Sequence, residues 1–469
     1  MTTSVLSAGD RIHVRDLGEG IVLKLRPQAQ VQVRLDAAPE LPRTVAVSDC
    51  KLVDDVVEAT TEALAALTAT PTRTATPKPY ARPRQNAVDR ADLRQTIEAI
   101  RLGIVPARHV ARYTVGRELE INALEQLFFD RKGLRVVWGD YGAGKTHILD
   151  LAEQKALESG FVAARVVIDP RENKVTNPKR LYETIVASLR YPEGIGQGLD
   201  PLMQRLIDSK DHRSHLGGEF SRFFSPYLHV LHVGDDEGIG WMRDYLGGDT
   251  LESFALARAL RHAGYRGPTP LALSDYRTYG RMYAHMLSTL AAWTEDAGFR
   301  GLVLLFDEVE FVDELNRENL RWAIEVLSHV AAICLPPESL GFDPELLYRG
   351  GHAVHQALPL RFRDDQPLAA VYALTPLSDI RMMMDRIVED EALSIDLRTL
   401  GARELPKLVA TIASLYADAY PDFVIDDEIV ADFIPRIEDE IANGGSGARL
   451  MVRSTVQHLD AIRWEKRRS

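Results

Sequence analysis

The sequence predicts an α/β fold: a mainly parallel sheet covered by helices, with a phosphate-binding loop at one strand end and a small all-β module ahead of it. Three observations carry this. Four apolar runs, LRVVW (134–138), FVAARVVI (161–168), LVLLF (302–306) and LAAVYAL (368–374), are separated by segments of helical period. Strands buried on both faces and joined through helices pair in parallel. The first run feeds GDYGAGKT (139–146), which satisfies G-x-x-x-x-G-K-[ST] between a strand and the helical segment HILDLAEQKALE. The N-terminal stretches GDRIHVRDLGEGIVLKL, VQVRL and TVAV instead alternate apolar and polar residues and break at Gly18 and Gly20.

Taken in order, residues 1–53 read as a small SH3-like or Tudor-like barrel of short strands. Similar patterns are found in barrels appended to bacterial helicases and transcription-coupling factors, which bind protein and sometimes nucleic acid. Residues 54–89 shift to Pro, Ala, Thr and Arg; four prolines between Pro71 and Pro83 forbid a continuous helix and favour an extended tether, with a short helix near Leu64–Leu67 ahead of them. From Arg90 to about residue 400 lies the α/β core, opening on a helix with Leu93, Ile97 and Ile100 on one face. Residues 191–298 read as a helical insertion, and 401–469 as a helical lid.

Composition bounds the function. Apolar residues make up 45% and charged residues 26%, as in soluble globular proteins. No apolar run reaches membrane-spanning length and the N-terminus has no signal pattern, so the expected setting is cytoplasmic. Cys50 and Cys334, the only cysteines, exclude a disulfide framework or thiolate cluster. A net charge of −12 excludes general polyanion binding. One local exception runs from Pro71 to Arg112, with nine Lys or Arg against three Asp or Glu; it is either a solvated linker or a nucleic-acid contact.

The loop residues Gly139, Asp140, Tyr141, Gly142, Ala143, Gly144, Lys145, Thr146 and His147 are the expected nucleotide-binding set. Glycines there let backbone N–H groups turn toward phosphate oxygens, and the helix N-terminus adds partial positive charge. Lys145 would neutralise the β and γ oxygens and Thr146 would hold Mg²⁺. The complementary acid comes at the end of LVLLFDE: Asp307 as the Mg²⁺ partner and Glu308 to polarise the attacking water. Glu310, in DEVE, is nearby and is given only solvation or helix-dipole pairing. Thr375, ending LAAVYALT, is expected to orient the water, with a helix cap as the alternative. Two H-x-x-H pairs, His212/His215 and His229/His232, lack cysteine and recognisable zinc spacing and are set aside as a metal site.

YTVGRELEINALEQL (113–127) resembles the VGRE segment of origin-recognition-like AAA+ and STAND ATPases, which packs near the adenine; the resemblance implies Gly116 and Arg117 as nucleotide contacts. The wider pattern, IEAIRLGIVPARHVARYTVGRE, VVWGDYGAGKTHIL and WTEDAGFRGLVLLFDEVEFVDEL, resembles the ATP-binding proteins of BREX-type bacteriophage-exclusion systems over roughly residues 93–460. It implies an AAA+-like sheet, ATP and Mg²⁺, and a lid helix in GGSGARLMVRSTVQHLDAI bringing an arginine to the nucleotide, Arg449 first and Arg453 second. Arg381 and Arg386 are weaker candidates for an arginine finger. Phage defence comes from this resemblance alone, and it implies a helicase, nuclease or methyltransferase as partner; DNA through the barrel and the basic residues 71–112, and a homo-oligomer, are the other partners considered. The expected function is an ATPase switch or assembly factor; the alternatives are a nucleotide-gated scaffold with little hydrolysis and a DNA-binding helicase loader.

Overall fold

The computed structural model describes residues 85–469 except 107–108, 170–174, 209–219, 250, 351–352, 402, 424–433, 440–446 and 469, together with five strands within residues 11–52. Those strands are β1 (Arg11–Val14), β2 (Gly18–Arg26), β3 (Gln30–Leu35), β4 (Ala38–Ala46) and β5 (Cys50–Leu52). They form an antiparallel sheet in the order β4-β3-β2-β1-β5, with register shifts at Val22/Lys24 and Val33/Leu35 that raise local twist. Val14 and Val33 are buried, as the alternating pattern requires. The expected Pro-rich tether lies outside the described residues up to residue 84, as does the helix near Leu64–Leu67. Its last five positions instead begin α1 (Gln85–Arg101).

The second sheet contains β6 (Gly133–Trp138), β7 (Val162–Val167), β8 (Leu302–Asp307), β9 (Leu368–Leu374) and β10 (Ser394–Asp396). All its pairings are parallel and its order is β10-β6-β9-β8-β7. The four apolar runs are four of these strands. The fifth, β10, reads only SID and is recruited by pairing with Val136–Trp138, a tertiary opportunity rather than a local preference.

Successive side chains of a strand point to opposite faces, and here each face has its own core. Leu134, Val136, Leu304, Phe306, Ala370 and Tyr372 face one side. There they meet the helices inserted between β7 and β8: α4 (Pro178–Ser188), α5 (Asp200–Asp208), α6 (Ser225–Val233), α7 (Asp236–Leu246), α8 (Ser253–His262) and α9 (Gly280–Asp296). Their start is marked by Asn177, whose side chain accepts from the Lys179 and Arg180 N–H groups ahead of Pro178, a cap worth about 1 kcal/mol. The central helix α9 is buried on every face over Gly280–Thr294, which makes it the spine of this layer. Following β8, α10 (Arg317–Cys334) completes it.

Val137, Ala163, Val303, Leu305, Val371 and Ala373 face the other side. That face receives α1, α2 (Glu118–Asp130), α3 (Lys145–Glu158), α13 (Leu405–Ala419) and α14 (Gly447–Arg468). Leu93, Ile97 and Ile100 of α1 are all buried there. Two short helices, α11 (Ala353–Gln356) and α12 (Ser378–Asp385), lie on either side of β9 in sequence. The fold is thus the α/β P-loop type with a parallel sheet, the phosphate-loop helix and the C-terminal helices on one face, and the inserted helices on the other.

Candidate functional site

Register brings the motif residues together. Trp138 pairs with Leu374, Phe306 with Tyr372, and Val167 with Asp307, so the carboxyl ends of four strands align. The loops that leave those ends carry Gly139–Thr146, Thr375 and Asp307–Glu308. Open α/β sheets hold their ligands at this edge.

Lys145 begins α3 after Gly144, whose φ of 101° requires glycine. Its Nζ donates to Thr375 Oγ1 at 2.8 Å and to the Gly139 carbonyl at 3.0 Å, and lies 3.2 Å from Glu310 Oε1. The Thr375 hydroxyl in turn donates to Glu310 Oε1. Glu310 therefore does not serve solvation or a helix dipole, as the sequence suggested. It is a buried-side partner of the loop lysine, and its Oε2 has no hydrogen-bond partner among the described residues. Nor does Thr375 cap α12, whose N-cap is Leu377 without a side-chain bond.

Asp307 is 3% exposed and ion-pairs through Oδ2 with Arg165 Nη2 at 2.7 Å; the same guanidinium pairs with Asp150 of α3. Sequence reasoning missed Arg165. The signal was present, since an arginine interrupts the otherwise apolar run FVAARVVI, and a charge in a central strand position needs partners. Glu308 is half-buried and sits at φ 58°, in the left-handed region, with its N–H donating to Asp307 Oδ1 at 3.1 Å. A non-glycine residue held there costs about 1–3 kcal/mol, which the surrounding packing must offset. Burial raises the Glu308 carboxyl above the ordinary carboxylate value, with Glu310 and Asp307 adding repulsion and Lys145 opposing.

Beside the loop opens a cleft of about 910 Å³, mouth included, walled by Ile100, Ile104, Val105, Pro106, Val115 and Leu408. Five of these six residues lie within residues 100–115, and Leu408 joins them from about 300 residues further along the chain. Tyr141 through His147 and Glu308 form the opposite wall. Gly139 and Asp140 stand outside it; their carbonyls are taken by Lys145 Nζ and the Ala143 N–H. Gly116 has φ 66°, where a Cβ would lie 3.1 Å from Glu404 Cγ. Arg117, only 3% exposed, donates to the Ala143 and Arg398 carbonyls at 2.5 and 2.7 Å and pairs with Glu120 at 3.1 Å. It lines the cleft as well and braces the phosphate loop at Ala143.

His147 Nε2 lies 2.8 Å from Thr114 Oγ1, which is also 2.8 Å from the Val110 carbonyl. With the Thr114 hydroxyl turned to Val110 the imidazole donates to it through Nε2; with the hydroxyl turned to the ring, Nε2 accepts. Burial, reinforced by Arg117, lowers the His147 pKa to about 4, so the ring is neutral at physiological pH. Arg449, on α14, reaches the loop: its Nη1 donates to the Tyr141 hydroxyl at 3.4 Å and its guanidinium lies 5.8 Å from the ring centroid. Arg453 is exposed on the same helix. Arg381 stacks 4.6 Å from the Trp138 ring and pairs with Asp396 at 3.2 Å, while Arg386 is exposed at the end of α12.

The donor chemistry suits Mg²⁺, which takes hard oxygen ligands from one or two carboxylates plus phosphate and keeps several waters. Thr146 and Asp307 would hold it, Asp307 retaining lone pairs beyond its Arg165 ion pair. Among the described residues no group of three His, Cys, Asp or Glu side chains has metal-holding geometry. His229 instead lies 3.0 Å from the Ala263 carbonyl, and His212 and His215 lie outside the described residues.

Several arginines of the basic 71–112 stretch pair with the C-terminal helices. Arg94 donates to the Ala419 carbonyl at 3.0 Å, Arg101 pairs with Asp460 at 2.6 Å, and Arg112 pairs with Asp418. They fasten α1 and the following turn to α13 and α14. No helix among the described residues is long and apolar enough to cross a membrane.

Fold and loop together define an α/β protein with a P-loop at the carboxyl edge of a parallel sheet. A family model described as BREX system ATP-binding protein BrxC/D matches residues 88–215, which span α1, the phosphate loop and the start of the inserted helices. No curated protein matches the sequence. Among solved structures, the chain is similar to the Aeropyrum pernix ORC1 protein in complex with DNA at 12% identity and a TM-score of 0.33, over 77% of this chain and 64% of that one. It is also similar to Drosophila ORC bound to DNA at 12% identity and a TM-score of 0.33, over 86% of this chain and 69% of that one. The similarity thus spans less than two thirds of the archaeal protein's length.

Proposed function

We propose that this protein binds ATP with Mg²⁺ and hydrolyses it, and that the nucleotide state switches its assembly with other components of a BREX-type phage-exclusion system. The observation that carries the reading is the meeting of Lys145, Thr375 and the Asp307–Glu308 pair at one edge of the parallel sheet, beside the apolar cleft. In this reading Gly142–Thr146 wrap the phosphates with backbone N–H groups, Lys145 balances the charge that develops on the γ-phosphate, and Glu308 orients the attacking water. Thr375 holds Lys145 in place. Thr146 and Asp307 would hold Mg²⁺, which would supply positive charge against the phosphates. The raised Glu308 carboxyl suits a general base, whose efficiency improves as its pKa approaches the working pH. Arg449 would report nucleotide occupancy to α14.

The family match over residues 88–215 supports both ATP binding and the BREX setting, with a helicase, nuclease or methyltransferase as partner. The test is turnover and ATP binding of the full chain beside its Glu308→Gln and Lys145→Ala variants. Glu308→Gln should bind ATP and lose at least about 100-fold in turnover, the scale of general acid–base contributions. Lys145→Ala should lose binding. Turnover unchanged in Glu308→Gln would remove that residue from the role, and binding without measurable turnover in the parent chain would favour the scaffold.

A further inference from the structure

A second cleft, of about 850 Å³ with its mouth included, opens among the inserted helices and shares no residue with the one beside the phosphate loop. One wall comes from Tyr245 of α7, Leu256 of α8 and Leu251 between them. The other is the segment Pro270–Tyr276, which leads from α8 toward α9. Leu256 and Leu273 are buried, so the lining is apolar at depth. The segment is held in place by its carbonyls: the Tyr245 hydroxyl donates to that of Leu271 at 2.6 Å and the Tyr283 hydroxyl to that of Ser274 at 3.0 Å. It nevertheless belongs to no helix or ladder. The N–H groups of Leu271, Ala272, Leu273, Ser274 and Asp275 have no hydrogen-bond partner among the described residues. An anchored stretch of unpaired backbone is a template on which an extended peptide adds as a strand, the main chain giving affinity and the side chains specificity.

Charge says what such a peptide carries. Among the described residues both charged members of the lining, Asp249 and Asp275, are acidic. Nearby cations are engaged elsewhere: Arg277 lies 3.7 Å from Glu318, and Lys179 and Arg180 lie 3.7 and 4.0 Å from Glu183. Tyr276 stands 59% exposed on the same wall and offers a ring face to a cation. We propose that this cleft docks an extended segment of a partner protein whose main chain pairs with Leu271–Asp275. An arginine or lysine of that segment, flanked by apolar residues, sets its head at Asp249 and Asp275 and its stem on the apolar lining. Long basic side chains suit such a site because they bury their methylenes while the charge stays at the rim. Nucleic acid does not fit, since both aspartates repel phosphate. The proposal is independent of the nucleotide site.

The experiment selects a phage-displayed library of random peptides on the full chain and measures the enriched peptides by fluorescence anisotropy. They should carry arginine or lysine between apolar residues. Their affinity should fall at least about tenfold in the double variant Asp249→Asn, Asp275→Asn and lose most of its salt dependence there. Ala272→Pro, which removes one N–H at an exposed position, should cost a similar factor. Should Ala272→Pro melt far below the unaltered chain, the aspartate variant decides alone. Enrichment no greater than on uncoated wells overturns the proposal. So does enrichment of acidic or uncharged peptides, or an affinity that the aspartate variant leaves unchanged. Sedimentation of the unaltered chain as a dimer that the aspartate variant dissolves would assign the cleft to a second copy and overturn the partner.

Discussion

Replacing Glu310 with glutamine isolates what the loop lysine gives up when phosphate arrives. Lys145 Nζ and Glu310 Oε1 are 3.2 Å apart, with side chains only 8% and 13% exposed. At an effective dielectric of about 20 that separation corresponds to about 5 kcal/mol of attraction. Much of it is cancelled by the water both groups surrendered, and the net worth of a hydrogen bond to a charged group is about 1.5–3 kcal/mol. A phosphate competing for Lys145 must displace this interaction and approach a carboxylate of its own sign. A glutamine carbonyl still accepts from the Thr375 hydroxyl, so the local packing has no reason to change. Glu310→Gln is therefore expected to tighten ATP binding roughly 10- to 100-fold. Calorimetric titration with Mg²⁺ measures it directly. An affinity unchanged within about twofold, or weakened, would refute the competition. A turnover loss as large as that of Glu308→Gln would move the water-orienting role to Glu310.

Three further outcomes follow from the same geometry. The raised Glu308 carboxyl means the folded chain keeps a proton the unfolded chain has already released; its contribution is most favourable below the unfolded value and is lost as pH rises through the folded one. Glu308→Gln should therefore melt above the parent at pH 7 and lose that advantage near pH 4 in a thermal-melt series, and parent turnover should rise with pH through the elevated value. Arg165→Met leaves Asp150 and Asp307 facing each other uncompensated and should cost about 3–5 kcal/mol in urea unfolding; a cost under about 1 kcal/mol would show that water already screens the pair. Arg449→Ala should lower ATP affinity by about tenfold or less, as an exposed group does, and leave the melting temperature nearly unchanged.

Much of the fold was legible because its determinants are local. The four apolar runs announced four of five strands, and the phosphate loop is contiguous, with strand before and helix after. Where the signal was short or the determinant remote, reading failed. β10 is three residues whose strand state depends on Val136–Trp138 as partners. The helix Pro178–Ser188, capped by Asn177, precedes the stretch expected as the insertion from residue 191.

The sequence by itself determined the chemistry on offer: a lysine and threonine after glycines, an Asp-Glu pair at a strand end, a threonine ending another. Each is encoded within a handful of neighbouring residues, where backbone propensity and motif spacing suffice. Tertiary structure alone decided which of these groups touch. Parallel register set Thr375 and Glu310 on Lys145 across 230 and 165 positions of chain and put Arg165 between Asp150 and Asp307. Partners of this kind are fixed by which strands lie side by side and which faces are buried. That choice is made by the whole core at once; of the residues concerned only Arg165, a charge within an apolar run, leaves a local mark.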